Sequence, residues 1–530
     1  MTTYRVLATD PLDQQGVDVF RSHSEIEIDL QPGMPAPELK RVIGSYDALV
    51  IRSGTKVTAD ALADPGRLRV IGRAGIGVDN IDVATATKRG IVVMNTPGGN
   101  NVTTAEHAIT LMLALARWIP QADASLHAGK WERTRFTGTE VCNKTLGIIG
   151  LGNIGTIVAE RAQGLRMRVI AHDPFVTAEA AAKLKVELVG LDDLFARADF
   201  ITIHTPLTPE TRGLVNRAAI AKMKRGVRLV NCARGGIVDE SDLVEAITSG
   251  HVAGAALDVF ATEPPPADHP LFKLDKVIAT PHLGAATSEA QINVAIAIAE
   301  QIASFLLRGE IQAAVNVPSV SGEILALLRP HLLLGEKLGS FLAQISPEMP
   351  TELKIEYFGQ VAELDWRPVT NAVLRGLLCR FLEASVNYVN APAIARERGI
   401  QVLEGRASRS SDFVNSITVR ATRPSGAIEV EGALFGTNIL RLVRINDFYM
   451  EAVPEGYVLM LNNRDVPGVV GRVGSLLGAH GINIAGLELG REHVGGRAIS
   501  FFHVDEAVPE AVLDELRRSP EIMSAQLLRL

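Results

Sequence analysis

Lys144-Thr145-Leu146-Gly147-Ile148-Ile149-Gly150-Leu151-Gly152-Asn153-Ile154-Gly155 is the stretch that decides the fold. An apolar run of strand length ends in a glycine-rich turn, and Thr156 to Leu165 continues with helical spacing. The turn reads GxGxxG. Gly150 permits the tight turn, Gly152 lets the main chain approach a pyrophosphate, and Gly155 lets the helix pack close to its strand. The helix N-terminus adds N–H groups and a positive dipole. The next apolar run, Val169-Ile170-Ala171, ends at His172-Asp173-Pro174, with Asp173 18 residues after Gly155. A carboxylate there accepts hydrogen bonds from ribose hydroxyls and repels a 2′-phosphate, so the unit predicts NAD rather than NADP.

Outward from this unit the same alternation repeats. Before it, Val6-Leu7-Ala8, Ala48-Leu49-Val50-Ile51, Val70-Ile71 and Ile91-Val92-Val93-Met94 read as buried strands. After it come Phe200-Ile201-Thr202-Ile203, Leu229-Val230-Asn231, Ala255-Ala256-Leu257 and Val277-Ile278-Ala279. Continuous apolar strands with helical crossovers are what a parallel sheet covered on both faces requires. Two doubly wound, Rossmann-like α/β units are therefore expected before residue 286, joined by a helix over Asn101 to Trp118. A helix over Ala286 to Arg308 is expected to bury a stripe of Ile292, Ile296, Ala299, Ala303 and Leu306. Gly309 and Asn316-Val317-Pro318-Ser319 then punctuate the chain. Residues 319–455 read as a mixed α+β region. Residues 456–530 follow the order β-α-β-β-α-β of a ferredoxin-like unit.

Composition bounds the function. The 530 residues predict roughly three to four domains. The chain is 47% hydrophobic and carries a net charge of −7, enough apolar surface for full cores and no basic stretch for a nucleic-acid backbone. Cys142, Cys232 and Cys379 lie far apart, without metal-ligand or disulfide spacing, so no metal is expected and a reducing, cytoplasmic setting fits. The start of the chain carries no long apolar signal segment, and Ala108 to Ala116 is too short to span a bilayer.

Three polar residues follow strand-like runs in the second α/β unit: Arg234 in Asn231-Cys232-Ala233-Arg234-Gly235-Gly236, Glu263 after Asp258-Val259-Phe260, and His282 in Thr280-Pro281-His282-Leu283-Gly284. In an open parallel sheet, ligands bind beyond the carboxyl ends of the strands, where all three emerge. A hydride leaves the carbon of an alcohol only as the hydroxyl proton is removed. Histidine suits that task, a carboxylate orients it, and a guanidinium holds a substrate carboxylate with two parallel hydrogen bonds.

These motifs, with Gly75-Ile76-Gly77-Val78-Asp79-Asn80, resemble the D-isomer-specific 2-hydroxyacid dehydrogenases over residues 1–318. The resemblance implies Arg234 as carboxylate anchor, Glu263 as partner of the histidine, and His282 as proton donor and acceptor. It implies cofactor contacts at Ile76, Asn153, Ile154, Thr205, Cys232, Ala233, Asp258, Gly284 and Ala285, besides the three loop glycines and Asp173. Asn153 stands where many members carry Arg. The resemblance also implies a discontinuous first domain, 1–97 completed by 287–318, with the NAD domain at 98–286.

Within the family, the whole chain resembles the long members that oxidise 3-phospho-D-glycerate at the entry to serine biosynthesis. There 319–455 is an intervening regulatory domain and 456–530 an ACT domain, in a homotetramer. A phosphorylated substrate needs cations, and Arg52, Lys56, Arg73 and Arg133 are candidates, the last across a subunit interface. Ser53, Gly75 and Asn101 complete the expected substrate site. In Asn463-Arg464-Asp465-Val466-Pro467-Gly468, loop N–H groups and the following helix N-terminus can receive an amino acid's carboxylate, Asp465 its ammonium group, and Asn483 offers a donor and an acceptor. By resemblance that ligand is L-serine, as effector. Arg420, Arg423 and Arg444 are either anion ligands or surface charge. Two rival functions stay open: a glyoxylate or hydroxypyruvate reductase of the same family, and an NAD-sensing transcriptional corepressor on the same fold.

Overall fold

The computed structural model describes residues 3–320, 322–346, 348–382, 386–407 and 413–530. Strands β1 (Tyr4–Ala8), β2 (Ile26–Leu30), β3 (Ala48–Ile51), β4 (Val70–Arg73) and β5 (Val92–Met94) form one parallel sheet in the order β2-β1-β3-β4-β5. A second parallel sheet holds β6 (Thr145–Ile149), β7 (Arg168–His172), β8 (Glu187–Leu188), β9 (Phe200–Ile203), β10 (Val227–Asn231), β11 (Val252–Leu257) and β12 (Val277–Ala279). Its order, β12-β11-β10-β9-β6-β7-β8, reverses direction between β6 and β9. The first sheet reverses between β1 and β3. Crevices open at such reversals because the connecting helices leave to opposite faces. The glycine turn after β6 and the loops after β1 and β3 sit at these two crevices.

The helix Ser288–Arg308 returns to the first sheet. The Thr287 side chain caps its start and Gly309, at φ 73°, ends it. Its buried residues include Val294, Ala295, Ile298, Ala299, Ile302, Ala303 and Leu306, whereas Ile292 and Ile296 are only half-buried. The core face is thus rotated from the expected stripe. The stretch from Val294 to Ala299 is unbroken apolar sequence, so periodicity alone does not select a face there. The small residues Gly16 and Gly72 do: a Cβ on Gly16 would lie 2.7 Å from Ala295 O, and one on Gly72 would lie 2.5 Å from Ile302 Cδ1. The helix is long and apolar enough to cross a membrane, but 56% of its most apolar window is buried inside the molecule.

The helix Asn101–Arg117 packs on the second sheet, burying Ala105, Ala108, Met112 and Leu115. Beyond residue 320, helices Gly322–Ile345 and Arg367–Phe381 cover a sheet of β13 (Glu352–Phe358), β14 (Gln401–Arg406), β15 (Ser416–Arg423), β16 (Gly426–Phe435), β17 (Ile439–Ile445) and β18 (Phe448–Ala452). Asn387 Nδ2 donates to Gly90 O at 2.9 Å and Lys88 meets Glu397 at 2.7 Å, which joins this region to the first sheet's rim. The last unit is antiparallel: β19 (Tyr457–Arg464), β20 (Ile484–Arg491), β21 (Arg497–Val504) and β22 (Ile522–Arg529) in the order β20-β21-β19-β22. One face of that sheet carries helices Val469–Ala479 and Glu510–Arg517. Val458, Met460, Ile499, Phe501 and Leu528 on the other face join the core of the preceding region.

Candidate active site

The glycine turn is shaped by close approach. Gly150 has φ 93°, and a Cβ there would lie 2.6 Å from His204 O; a Cβ on Gly155 would overlap Gly150 O. Gly152 differs: a Cβ on it would meet nothing within 4 Å, so this face of the turn is open. The helix Asn153–Gly164 begins there without a side-chain cap, leaving its first N–H groups available. Asn153 is exposed at that end and Ile154 half-buried. Across the crevice, Thr205 Oγ1 is buried without a partner. An open turn, an uncapped helix start and an orphaned hydroxyl fit a dinucleotide phosphate. Asp173 braces the turn, Oδ2 accepting from Leu151 N at 2.8 Å and Oδ1 from Phe175 N at 2.8 Å. Each oxygen keeps a lone pair for a ribose hydroxyl. Gly155→Val is expected to abolish NADH binding in a fluorescence titration and to destabilise the chain by about 2 kcal/mol, because backbone must move to admit the side chain.

His282 stands just beyond β12 at φ 55°, an uncommon conformation for a residue with a Cβ. Its N–H donates to Asp258 O at 2.9 Å and to Thr280 O at 3.0 Å, and Nδ1 lies 2.8 Å from Glu263 Oε2. The other Glu263 oxygen accepts from Phe260 N at 3.1 Å. With Nδ1–H donated to the carboxylate, Nε2 is the free basic nitrogen. The hydrogen bond to Glu263 raises the His282 pKa despite burial. Burial pushes Glu263 upward, but the His282 and Phe260 N–H donors outweigh it and keep the carboxylate ionised.

Asp258 is the fully buried strut of the loop after β12. It accepts from Thr280 Oγ1 at 2.5 Å, Leu283 N at 2.7 Å and Gly284 N at 2.8 Å, and His107 Nε2 lies 3.2 Å away. Gly284 O accepts from Thr104 Oγ1 at 3.0 Å, which ties Gly284 to the start of the helix Asn101–Arg117, and half-buried Ala285 follows it. Burial, with the Asp258 charge nearby, pushes the Cys232 thiol pKa well up, which keeps it an inert thiol. Ala233 N donates to Asn231 Oδ1 at 3.0 Å, and Ala233 O accepts from Arg234 Nη1 at 2.7 Å.

Arg234 reaches from the second sheet to the first, where Nε donates to Asp79 Oδ2 at 3.0 Å. Arg73 lies beside it. Burial, then repulsion from Arg234, lowers the Arg73 pKa to about 10, with Arg52 adding further repulsion, and its Nε is buried without a partner. Gly75, at φ 153°, makes room: a Cβ there would lie 2.7 Å from Arg73 Nη1. Gly75 N donates to Thr96 Oγ1 at 2.9 Å, and Ile76 O accepts from Asn95 Nδ2 at 2.6 Å. Arg52 and exposed Ser53 follow β3, their loop held by Asp10 Oδ2, which accepts from Arg52 N at 2.6 Å and Thr55 N at 3.1 Å. Asn101 Oδ1 is buried without a partner at the helix start nearby. Arg73, repelled by both Arg234 and Arg52, gathers positive charge of the kind that suits a dianion and a carboxylate together.

Other expected residues stand elsewhere or are occupied. Arg133 is exposed on the 129–140 loop, which Arg135 ties to Glu132 at 3.0 Å and to Asp275 at 3.2 Å. Asp465 accepts from Arg491 at 3.4 Å and from Gly495 N at 3.2 Å, while Asn483 Nδ2 donates to Asp505 Oδ2 at 2.8 Å. Arg423 is buried, donating to Leu342 O at 2.9 Å and Glu348 O at 3.0 Å. Arg444 pairs with Glu429 at 2.8 Å and Glu431 at 3.1 Å, and Arg420 lies 3.8 Å from Glu429. Sequence reading missed Asp79, Asp10, His107 and His204. Burial lowers the His204 pKa to about 4, so its ring is neutral beneath the glycine turn. Asp79 lies within Gly75 to Asn80, but no local pattern links it to Arg234.

Family models match three parts of the chain: the NAD-binding domain of D-isomer-specific 2-hydroxyacid dehydrogenases over 109–284, the D-3-phosphoglycerate dehydrogenase intervening domain over 327–446, and the ACT domain over 457–521. The D-3-phosphoglycerate dehydrogenase of Synechocystis sp. is 43% identical over all of this chain and 95% of its own length. That of Bacillus subtilis is 42% identical over 99% of this chain and all of its own. Among solved structures, the TT0316 protein of Thermus thermophilus aligns at 35% identity with TM-score 0.55, covering 59% of this chain and 99% of that one. An NAD complex of a formate dehydrogenase from Staphylococcus aureus aligns at 29% identity with TM-score 0.54, over 60% of this chain and all of that one. Two phosphoglycerate-dehydrogenase relatives match nearly end to end, and an NAD-binding domain surrounds the Arg234, Glu263 and His282 loops. The chain therefore belongs to the D-3-phosphoglycerate dehydrogenase family of D-isomer-specific 2-hydroxyacid dehydrogenases.

Proposed function

We propose that the chain oxidises 3-phospho-D-glycerate to 3-phosphohydroxypyruvate with NAD. The observation that carries this reading is the pairing of a His282–Glu263 acid–base couple with the Arg234, Arg73 and Arg52 cluster facing it across the two sheets. Arg234 offers Nη groups to the substrate carboxylate while Asp79 steadies Nε. Arg73 and Arg52 meet the phosphate, and Arg133 of a second copy completes it in a homotetramer. NAD, when bound, supplies the hydride acceptor. His282 Nε2 takes the hydroxyl proton, and the imidazolium so formed is stabilised by ionised Glu263. Closure of the cleft between the sheets excludes water.

The division into 1–97 with 287–318, 98–286, 319–455 and 456–530 belongs to the same proposal, supported by the return of helix Ser288–Arg308 to the first core. So does a cytoplasmic location. L-serine is the proposed effector at Asp465 and Asn483. Both side chains are engaged within the chain, so serine must displace the Arg491 and Asp505 contacts or use the pair on a second copy.

The test is NADH oxidation with phosphohydroxypyruvate, hydroxypyruvate and glyoxylate, each with and without L-serine. Preference for the phosphorylated acid is expected. Equal rates would favour the reductase reading, and no serine response would remove the effector. Dehydrogenase activity itself disfavours the corepressor reading, as does the intervening and ACT tail.

The pH dependence follows from His282, whose pKa is raised above its ordinary 6.5. Oxidation needs neutral His282, so its rate rises with pH through that raised pKa. Reduction needs the imidazolium, so its rate falls as pH rises through the same value. Opposite slopes in initial rates of the two directions check this.

A further inference from the structure

Behind the acid–base couple lies a second carboxylate that the reaction as described does not use. Glu240 is the first residue of the helix Glu240–Thr248. Its Oε1 accepts from Ala261 N at 2.7 Å, and its Oε2 lies 3.0 Å from His269 Nε2. Both partners are donors. Leu271 N donates to His269 Nδ1 at 3.3 Å, so Nδ1 is the unprotonated nitrogen and Nε2 carries the hydrogen. A carboxylate accepts from both at once, one oxygen each. A glutamine has a single acceptor oxygen and leaves one donor facing its NH2 group.

The braced segment is the one that presents Glu263. The His269 ring packs edge-on to Phe260 with centroids 5.7 Å apart, and Phe272 closes the triangle at 5.5 Å from Phe260 and 5.3 Å from His269. Phe260 in turn donates its N–H to Glu263 Oε1 at 3.1 Å. On the other side, a Cβ on Gly235 would overlap Phe260 O, so the residue after Arg234 rests on the same peptide. Glu240 follows on that same stretch of chain.

We infer that Glu240 is a positioning residue of the dehydrogenase reaction: by binding Ala261 N–H and His269 together, it locks the Phe260–Glu263 loop in the place that aims Glu263 at His282 and seats Arg234 beside it. The inference rests on the His282–Glu263 reading above. An acid at a helix start also stabilises the helix dipole. That bland role would change melting temperature and leave the chemistry alone.

The test uses the full chain and its Glu240→Gln, His269→Phe, double and Glu245→Gln variants. Glu245 sits on the same helix, pairs with Arg217 at 2.6 Å, and serves as the control with wild-type kcat. Glu240→Gln is expected to lower kcat about tenfold with NADH affinity unchanged, since small displacements of a catalytic group cost rate more than binding. Its oxidation rate should also rise at lower pH than wild type. The charged groups facing His282 are Glu263, Asp258 and Arg234, and a loosened Glu263 no longer supports the imidazolium fully. His269→Phe should act in the same direction, and the double variant should be no worse than Glu240→Gln alone, because both act through one loop. Wild-type kcat and pH profile in Glu240→Gln would overturn the inference while leaving the acid–base reading intact. If Glu240→Gln does not fold, a wild-type profile in His269→Phe overturns it instead. An inactive wild-type chain would overturn the acid–base reading itself.

Discussion

Replacing His282 by alanine is expected to lower kcat about a thousandfold in both directions while NADH still binds with near wild-type affinity. The reason lies in the division of labour at the site. In the proposed reading the dinucleotide is held by the turn from Gly150 to Gly155, the helix behind it and Asp173, none of which hydrogen-bonds to the imidazole. In that reading His282 contributes Nε2 to the chemistry, with Nδ1 held 2.8 Å from Glu263. Alanine also relaxes a strained left-handed backbone only slightly, since it too carries a Cβ at φ 55°. Fluorescence titration with NADH, beside steady-state turnover, separates the two properties. Loss of both together would mean that the histidine loop is part of the nucleotide site.

Arg234→Ala is expected to lower kcat/KM for the phosphorylated substrate about a thousandfold, two charge-assisted hydrogen bonds at roughly 2 kcal/mol each. Stability should change little. The Arg234–Asp79 pair is partly exposed, with Asp79 70% accessible, and such pairs contribute little to folding. Arg234→Lys should recover only a small part of the activity, because an ammonium group cannot present the planar fork. Measured kcat/KM against thermal midpoint for the two variants checks this. Equal losses of stability and activity would assign Arg234 to the inter-sheet contact rather than to the substrate.

Legibility of the fold in the sequence followed burial. Strands covered on both faces, such as Phe200–Ile203 and Ala48–Ile51, are unbroken apolar runs and announce themselves. Ile26–Leu30 does not, because it is an edge strand reading Ile-Glu-Ile-Asp-Leu, and Glu187–Leu188 is too short to carry a pattern. The helix Ser288–Arg308 was legible as a helix but not in its facing, since glycines far away at 16 and 72 select the buried side. The site shows the same division. Arg234, Glu263 and His282 follow strand ends and carry recognisable chemistry. The contacts that brace them are not local: Asp79 meets Arg234 across 155 residues and Glu240 meets His269 across 29, and neither pairing has a local signature.

The most direct test of the account supplies 3-phospho-D-glycerate deuterated at C2, together with NAD, and follows the label. Appearance of one deuterium per turnover at the nicotinamide ring carbon, with a slowed rate in single-turnover reactions of the wild-type chain, is the predicted result. Reduction without transfer of the label, or none with this substrate while an unphosphorylated 2-hydroxy acid reacts, would contradict it.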